Sequence, residues 1–206
     1  MHLHTADGLT LEGEVSVPDG VRAGALLAHP HPLHGGNMRS IVIGALFTGL
    51  PAAGIAALRF NFRGVGASEG SHDEGRRERL DVVAALDVLE GLGRELPLVL
   101  GGWSFGADTS LGVDDARHAG WFAVAPPLRH TAQFRNSAVA AAGDPRPKLL
   151  VMPERDQFRS PESAREVVAS WTNTEVIVVP GADHFLVGRT DRVVELAVEF
   201  INRLLS

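Results

Sequence analysis

Residues 97–111 read PLVLGGWSFGADTSL. A short apolar run, Leu98 to Leu100, is followed by Gly101 and Gly102, then by Trp103-Ser104-Phe105-Gly106 and a stretch that opens a helix. The apolar run has the length of a buried strand. The pattern from Gly102 to Gly106 is G-x-S-x-G. A chain that turns this sharply from strand to helix needs small residues on both sides of the serine. The turn lifts the serine hydroxyl clear of the sheet and aims the next backbone N–H, that of Phe105, at the same point. The letters alone are weak: with 23 glycines in 206 residues, chance supplies the pattern roughly 0.13 times. Its position between a strand and a helix carries the weight.

The same alternation extends in both directions. LTLEGEVSV (9–17) alternates apolar and polar residues, as a half-exposed antiparallel strand does. AGALLAHP (23–30), IAALRFNF (55–62), WFAVAPP (121–127), KLLVMP (148–153) and TEVIVVPG (174–181) read as further strands. Residues 38–54 read as a helix stopped by Pro51 and Gly54. Residues 78–93 read as a strongly amphipathic helix, with Leu80, Val83, Ala84, Leu86, Leu89 and Leu92 on one face. Two more helices are expected at about 161–171 and at 192–205. Buried strands alternating with helices imply a mostly parallel sheet with helices on both faces. In such a sheet, reactive groups collect at the carboxyl ends of the strands.

A serine hydroxyl is a poor nucleophile at neutral pH. It needs a base, and the base needs an orienting acid. His184 follows the last expected strand in PGADHFLVG, and Asp156 follows the preceding one in MPERDQF. Glu154 and Asp183 are the competing acids. Asp156 lies further into its loop, where it can curve beneath an imidazole, whereas Asp183 adjoins His184 and reads as a loop-fixing carboxylate. LRFNFRGVGASEG (58–70) contains Gly64, Gly66 and Gly70, but Glu69 breaks the dinucleotide-binding fingerprint. It reads as a tight turn held by Arg63.

With these motifs in place the chain resembles the α/β-hydrolase superfamily of serine hydrolases. Within that superfamily it is similar to small bacterial hydrolases related to the dienelactone-hydrolase group that carry an HPHP…GG loop. The resemblance runs from about residue 9 to residue 205. LRFNFRGVGASEG matches the family's D-x-R-G-x-G-x-S strand with Asn61 in place of the acid. LLVMPERDQF matches the acid-bearing strand with Pro153 where glycine is common, and VVPGADHFL matches the histidine loop. The dienelactone hydrolases use a cysteine nucleophile. This chain has none, so that activity is not carried over. The resemblance implies an α/β-hydrolase fold with a minimal cap or none, since only about 20 residues separate the strands at 121 and 148.

HPHPLHGG, residues 29–36, poses a choice. His29, His31 and His34 have the spacing of a zinc site, but Leu33 stands where such a motif needs an acid, and no second ligand set follows. In the family this loop supplies half of an oxyanion hole. Prolines have no N–H, so His31 carries the one donor between Pro30 and Pro32, and Phe105 N–H is the second. The reading is therefore a metal-free site.

Composition bounds the remainder. The length fits a single domain spanning 1–206. A net charge of −6 gives no basic surface for nucleic acid. No apolar run is long enough for a membrane span, and the N-terminus lacks the pattern of a signal peptide, so a cytoplasmic protein is expected. The expected function is hydrolysis of a carboxylic ester or related acyl bond, with Ser104 as nucleophile, His184 as base and Asp156 as acid. A thioesterase or acyltransferase with the same triad is the alternative, and a non-catalytic binding protein on the same fold a remote one. The expected partner is a small-molecule acyl substrate, and no cofactor is implied. Phe158, Phe185 and Leu186 are candidate substrate-binding walls, each equally readable as core. Oligomeric state is not legible.

Overall fold

The computed structural model describes residues 1–93, 96–129 and 139–206. Eight strands form one sheet: β1 (His2–His4), β2 (Thr10–Ser16), β3 (Ala23–Ala28), β4 (Ile55–Phe60), β5 (Leu98–Trp103), β6 (His118–Val124), β7 (Lys148–Pro153) and β8 (Thr174–Val179). Their order across the sheet is β1-β2-β4-β3-β5-β6-β7-β8. β1 with β2 and β2 with β4 pair antiparallel, and every later pairing is parallel. The alternating pattern of residues 9–17 thus marks an antiparallel strand, and the continuous apolar runs mark the parallel interior.

The strands send alternate side chains to two cores. Leu26, Leu100, Leu150 and Met152 enter one core with Val82, Leu86 and Leu89 of helix α2 (Glu78–Glu90), and with Ala164 and Val168 of the helix Pro161–Val168. Leu27, Val99, Leu149 and Val151 enter the other with Val42, Ile43 and Leu46 of helix α1 (Ile41–Gly49), and with Val193, Leu196 and Phe200 of the C-terminal helix Thr190–Leu204. Every residue of β3, β5 and β7 is buried, because helices cover both faces. The connection between β6 and β7, which the sequence reads as too short for a large cap, includes residues 130–138, outside the described residues.

The strand expected over 121–127 runs instead from His118 to Val124 and the helix expected over about 161–171 ends at Val168, and two further elements differ in ways that shape the site. The helix expected over 38–54 is shorter. Residues 37–40 form a turn in which Arg39 N–H donates to Asn37 Oδ1 (2.8 Å) and Asn37 N–H to Ser40 Oγ (3.1 Å). Met38 N–H is tied to the buried Asn61 Oδ1 at 2.7 Å, so α1 begins at Ile41, and a 3₁₀ turn at Leu50–Ala53 ends the segment around Pro51. The second difference lies in α2, which has no single apolar stripe. Val82 and Ala85 are buried while Leu80 and Val83 are only half-buried, and the carboxylates Glu78 and Asp81 point inward. Asp81 binds the Arg63 guanidinium and Arg63 N–H (3.0 Å), while Glu78 accepts N–H groups from Asp73 (2.7 Å) and Gly75 (2.9 Å). The start of this helix is used to hold the loop after β4. Within that loop Gly64, Gly66 and Gly70 all adopt positive φ, and Arg63 also binds Asp7.

Among the described residues no helix is long and apolar enough to cross a membrane.

Candidate active site

Ser104 sits between β5 and helix α3 (Phe105–Leu111) with φ 56° and ψ −117°, an uncommon conformation for a residue with a side chain. The turn is held by Ser104 N–H donating to Val124 O at 2.8 Å. It closes so tightly that a Cβ on Gly106 would lie 2.2 Å from Ala28 O, and one on Gly102 2.5 Å from the Gly106 carbonyl carbon. Glycine is required at both positions by backbone contact alone, which is the physical content of the G-x-S-x-G spacing.

The loops after β7 and β8 bring their residues to this serine. His184 Nε2 lies 2.9 Å from Ser104 Oγ, and His184 Nδ1 lies 2.8 Å from Asp156 Oδ2. Asp156 Oδ1 accepts the Phe158 and Arg159 N–H groups at 2.8 and 3.2 Å. Both carboxylate oxygens are therefore engaged, and the carboxylate is fixed relative to the ring. The His184 carbonyl accepts Trp103 Nε1–H at 3.1 Å, which ties the histidine loop back to β5. All three side chains are buried. The competing acids are elsewhere: Glu154 accepts Gly181 N–H at 2.6 Å and Asp183 accepts Phe185 N–H at 3.0 Å, both on exposed residues.

The HPHPLHGG loop divides its histidines by role. His29 is fully buried, and its Nε2 accepts Phe62 N–H at 3.0 Å. That fixes the proton on Nδ1, which lies 2.6 Å from Pro30 O. Both ring nitrogens are spent inside the fold. Burial holds the His29 pKa at about 4. His31 starts the 3₁₀ turn Pro32–His34, its Nδ1 accepting Leu33 N–H at 3.2 Å. Burial, then the charge of the nearby His72, holds the His31 ring at about 4 as well. The backbone N–H groups of His31 and Phe105 have no acceptor among the described residues. Gly36 closes the loop: a Cβ there would sit 2.1 Å from Pro30 O. Among the described residues no group of three or more His, Asp or Glu is arranged to hold a metal ion.

The state of His29 has a measurable consequence. Its folded pKa is depressed below the unfolded value, so the folded chain binds fewer protons, and the stability this gives is lost as pH falls from about 6.5 through about 4. Between pH 7.5 and 4.5 the loss is about 2 kcal/mol from this residue. His29→Gln can still accept Phe62 N–H but cannot titrate. Urea midpoints at the two pH values are expected to show a smaller acid loss for the variant than for the wild type; an equal loss would contradict the assignment.

Ser104, His31, Phe105, His184, Phe158 and Phe185 all line one cavity of about 590 Å³. Phe158 and Phe185, each 49% exposed, set ring edges against His184 with centroids 4.5 and 5.9 Å away. Leu186, the third expected wall residue, does not reach the cavity. It is fully buried in the core with Val193 and Leu196, on a turn at φ 57° that points it inward. The cavity residues that the sequence reading did not single out include His72, Asp108 and Arg129. Asp108 lies one helical turn after Ser104 and accepts Leu128 N–H at 2.9 Å and Arg129 N–H at 3.0 Å. Burial raises its carboxyl to about 6. The rule that strand ends carry the chemistry, applied to the loop after β6, points to Arg129.

A family model described as an alpha/beta hydrolase domain matches residues 22–200. An α/β serine hydrolase homologue from Coxiella burnetii is 32% identical, with a TM-score of 0.84 over 97% of this chain and 95% of that one. A lidless α/β serine hydrolase from Xanthomonas campestris is 26% identical, with a TM-score of 0.82 over 98% of this chain and 92% of that one. An uncharacterised protein of Rickettsia prowazekii is 32% identical over 81% of this chain and 73% of its own length.

Proposed function

Because the chain belongs to the alpha/beta hydrolase domain family, we propose that it is a serine hydrolase that cleaves a carboxylic ester through an acyl-enzyme on Ser104. The observation that carries this reading is the unbroken series Asp156–His184–Ser104, with contacts of 2.8 and 2.9 Å, opening into a cavity.

In this mechanism Ser104 Oγ attacks the acyl carbon and its proton passes to His184 Nε2. His184 Nδ1–H donates to Asp156 throughout, which fixes the tautomer and stabilises the imidazolium. The carbonyl oxygen, now an anion, is held by the His31 and Phe105 N–H groups, which have no acceptor among the described residues. Collapse expels the alcohol, which takes the proton from Nε2. Water then gives a proton to Nε2, attacks the acyl-enzyme and releases the acid, restoring Ser104 O–H. The test is turnover of acyl esters, thioesters and peptides by the purified protein. Ester hydrolysis is expected to dominate. Turnover confined to thioesters, or transfer to an added alcohol in preference to water, would contradict the ester assignment.

The oxyanion assignment places the function of position 31 in its backbone. His31→Ala keeps the N–H and loses the cap on Leu33 and the ring contacts with His34, His72 and Phe105, none of which is part of the proposed chemistry, so kcat is expected within about tenfold of wild type. His31→Pro removes the donor, and the native φ of −54° already suits proline. It is expected to lower kcat by roughly 10² to 10³. Chelators are expected to leave the wild type unaffected. Inactivation by a chelator with recovery on adding zinc would overturn this account of the loop.

A further inference from the structure

The cavity lining combines the apolar side chains of Ile41, Phe158 and Phe185 with the polar ones of His31, His72 and Arg129. The arginines that build the fold are tied to carboxylates: Arg63 to Asp7 and Asp81, Arg117 to Asp87, Glu90 and Asp115, Arg146 to Asp144. The Arg129 guanidinium forms no ion pair among the described residues. Its neighbour is the ring of Phe158, with Cζ 5.8 Å from the centroid. Of the carboxylates that line the cavity, Asp108 gives its two oxygens to the N–H groups of Leu128 and Arg129, and Glu74 is exposed, 3.7 Å from Arg76.

Arg129 also has a fixed origin. Its backbone N–H is held by Asp108, which is buried and stands one turn from Ser104 on the same helix. Phe158, beneath the guanidinium, packs its ring on His184. The arginine is thus referenced to the serine through the helix and to the histidine through the phenylalanine. Arg129 is exposed, and a guanidinium with no ion pair among the described residues is a fork for a carboxylate.

We propose that Arg129 is an anion subsite and that the site takes esters whose acyl portion carries a carboxylate, the monoesters of short dicarboxylic acids. This rests on the hydrolase reading of the same site and adds the substrate class to it. Asp108 is then a positioning residue: it holds the backbone from which the guanidinium reaches.

The test uses nitrophenyl monoesters of succinate, glutarate and adipate, each paired with the neutral alkanoate ester of equal length. The quantity read is the ratio of kcat/KM for the anionic over the neutral ester, so each protein is its own reference. In the wild type the ratio is expected to exceed one at the chain length that reaches Arg129, and to fall as salt is raised. Arg129→Gln is expected to lower it by about ten- to a hundredfold, the range of one charge-assisted contact. Arg129→Glu is expected to lower it further, and Arg129→Lys to keep part of it. A ratio unchanged in Arg129→Gln at every length would overturn the subsite. Titration with the free dicarboxylates gives an arm independent of turnover, with binding expected in the wild type and lost in Arg129→Gln. Binding lost in the variant, in a wild type that hydrolyses no ester, would leave the subsite standing and sink the hydrolase reading. Equal binding by the two proteins would sink the subsite.

Discussion

Ser104→Ala is expected to lower kcat for ester hydrolysis by on the order of 10⁶ while the protein stays folded. The size of the effect follows from the absence of a substitute. His184 Nε2 is already aimed at the serine oxygen at 2.9 Å. Without that oxygen the base has only water to activate, and no acyl-enzyme can form. The residual rate would come from the two oxyanion donors and from binding. The fold is expected to survive because the strain and close contacts at this turn are in the backbone. Gly102 and Gly106 make the approach, and Ser104 N–H rather than its side chain bonds to Val124 O. Circular dichroism and the thermal midpoint of the variant separate loss of chemistry from loss of structure. Near wild-type turnover in an alanine variant free of contaminating esterase would remove Ser104 from the mechanism.

Asp156→Asn is expected to cost up to about 10⁴ in kcat. The amide can present an N–H to His184 Nδ1, which favours the tautomer whose proton sits on Nε2, where a base must be empty. The same change disturbs the loop little, since the side-chain oxygen can still accept Phe158 N–H. Asp183→Asn is the matched control. Asp183 is exposed and caps its own turn through Phe185 N–H, a bond that asparagine retains, so activity within a fewfold of wild type is expected. The reverse ranking in a side-by-side assay would transfer the acid to Asp183.

The two variants mark what the sequence made legible. The parallel interior could be read because strands covered on both faces must be almost wholly apolar, as AGALLA and the LLVMP of β7 are. The tight turn at Ser104 could be read because only glycine tolerates backbone at the approach seen around Gly106. What sequence concealed depends on contacts between distant segments. The inward carboxylates of Glu78 and Asp81 look like solvent-facing charges until Arg63 and the N–H groups of residues 73 and 75 are placed against them. Leu186 and Phe185 are adjacent and both apolar. One faces the cavity and the other the core, because the turn at Leu186 has positive φ, which no periodicity announces. The link from Asp108 to Arg129 joins a helix to a loop 21 residues away, and neither residue belongs to a motif. The strand His2–His4 is three residues of mixed polarity, too short for an alternation to register.

The most direct test of the central claim is intact-mass and peptide mapping after brief exposure of the folded protein to a fluorophosphonate. The probe reacts with a serine whose hydroxyl is activated by a base and whose oxyanion is stabilised. One adduct per chain is expected, on the peptide that contains Ser104, absent from Ser104→Ala and slowed in Asp156→Asn. No adduct on the wild type, or an adduct on another residue that persists in Ser104→Ala, would contradict the account.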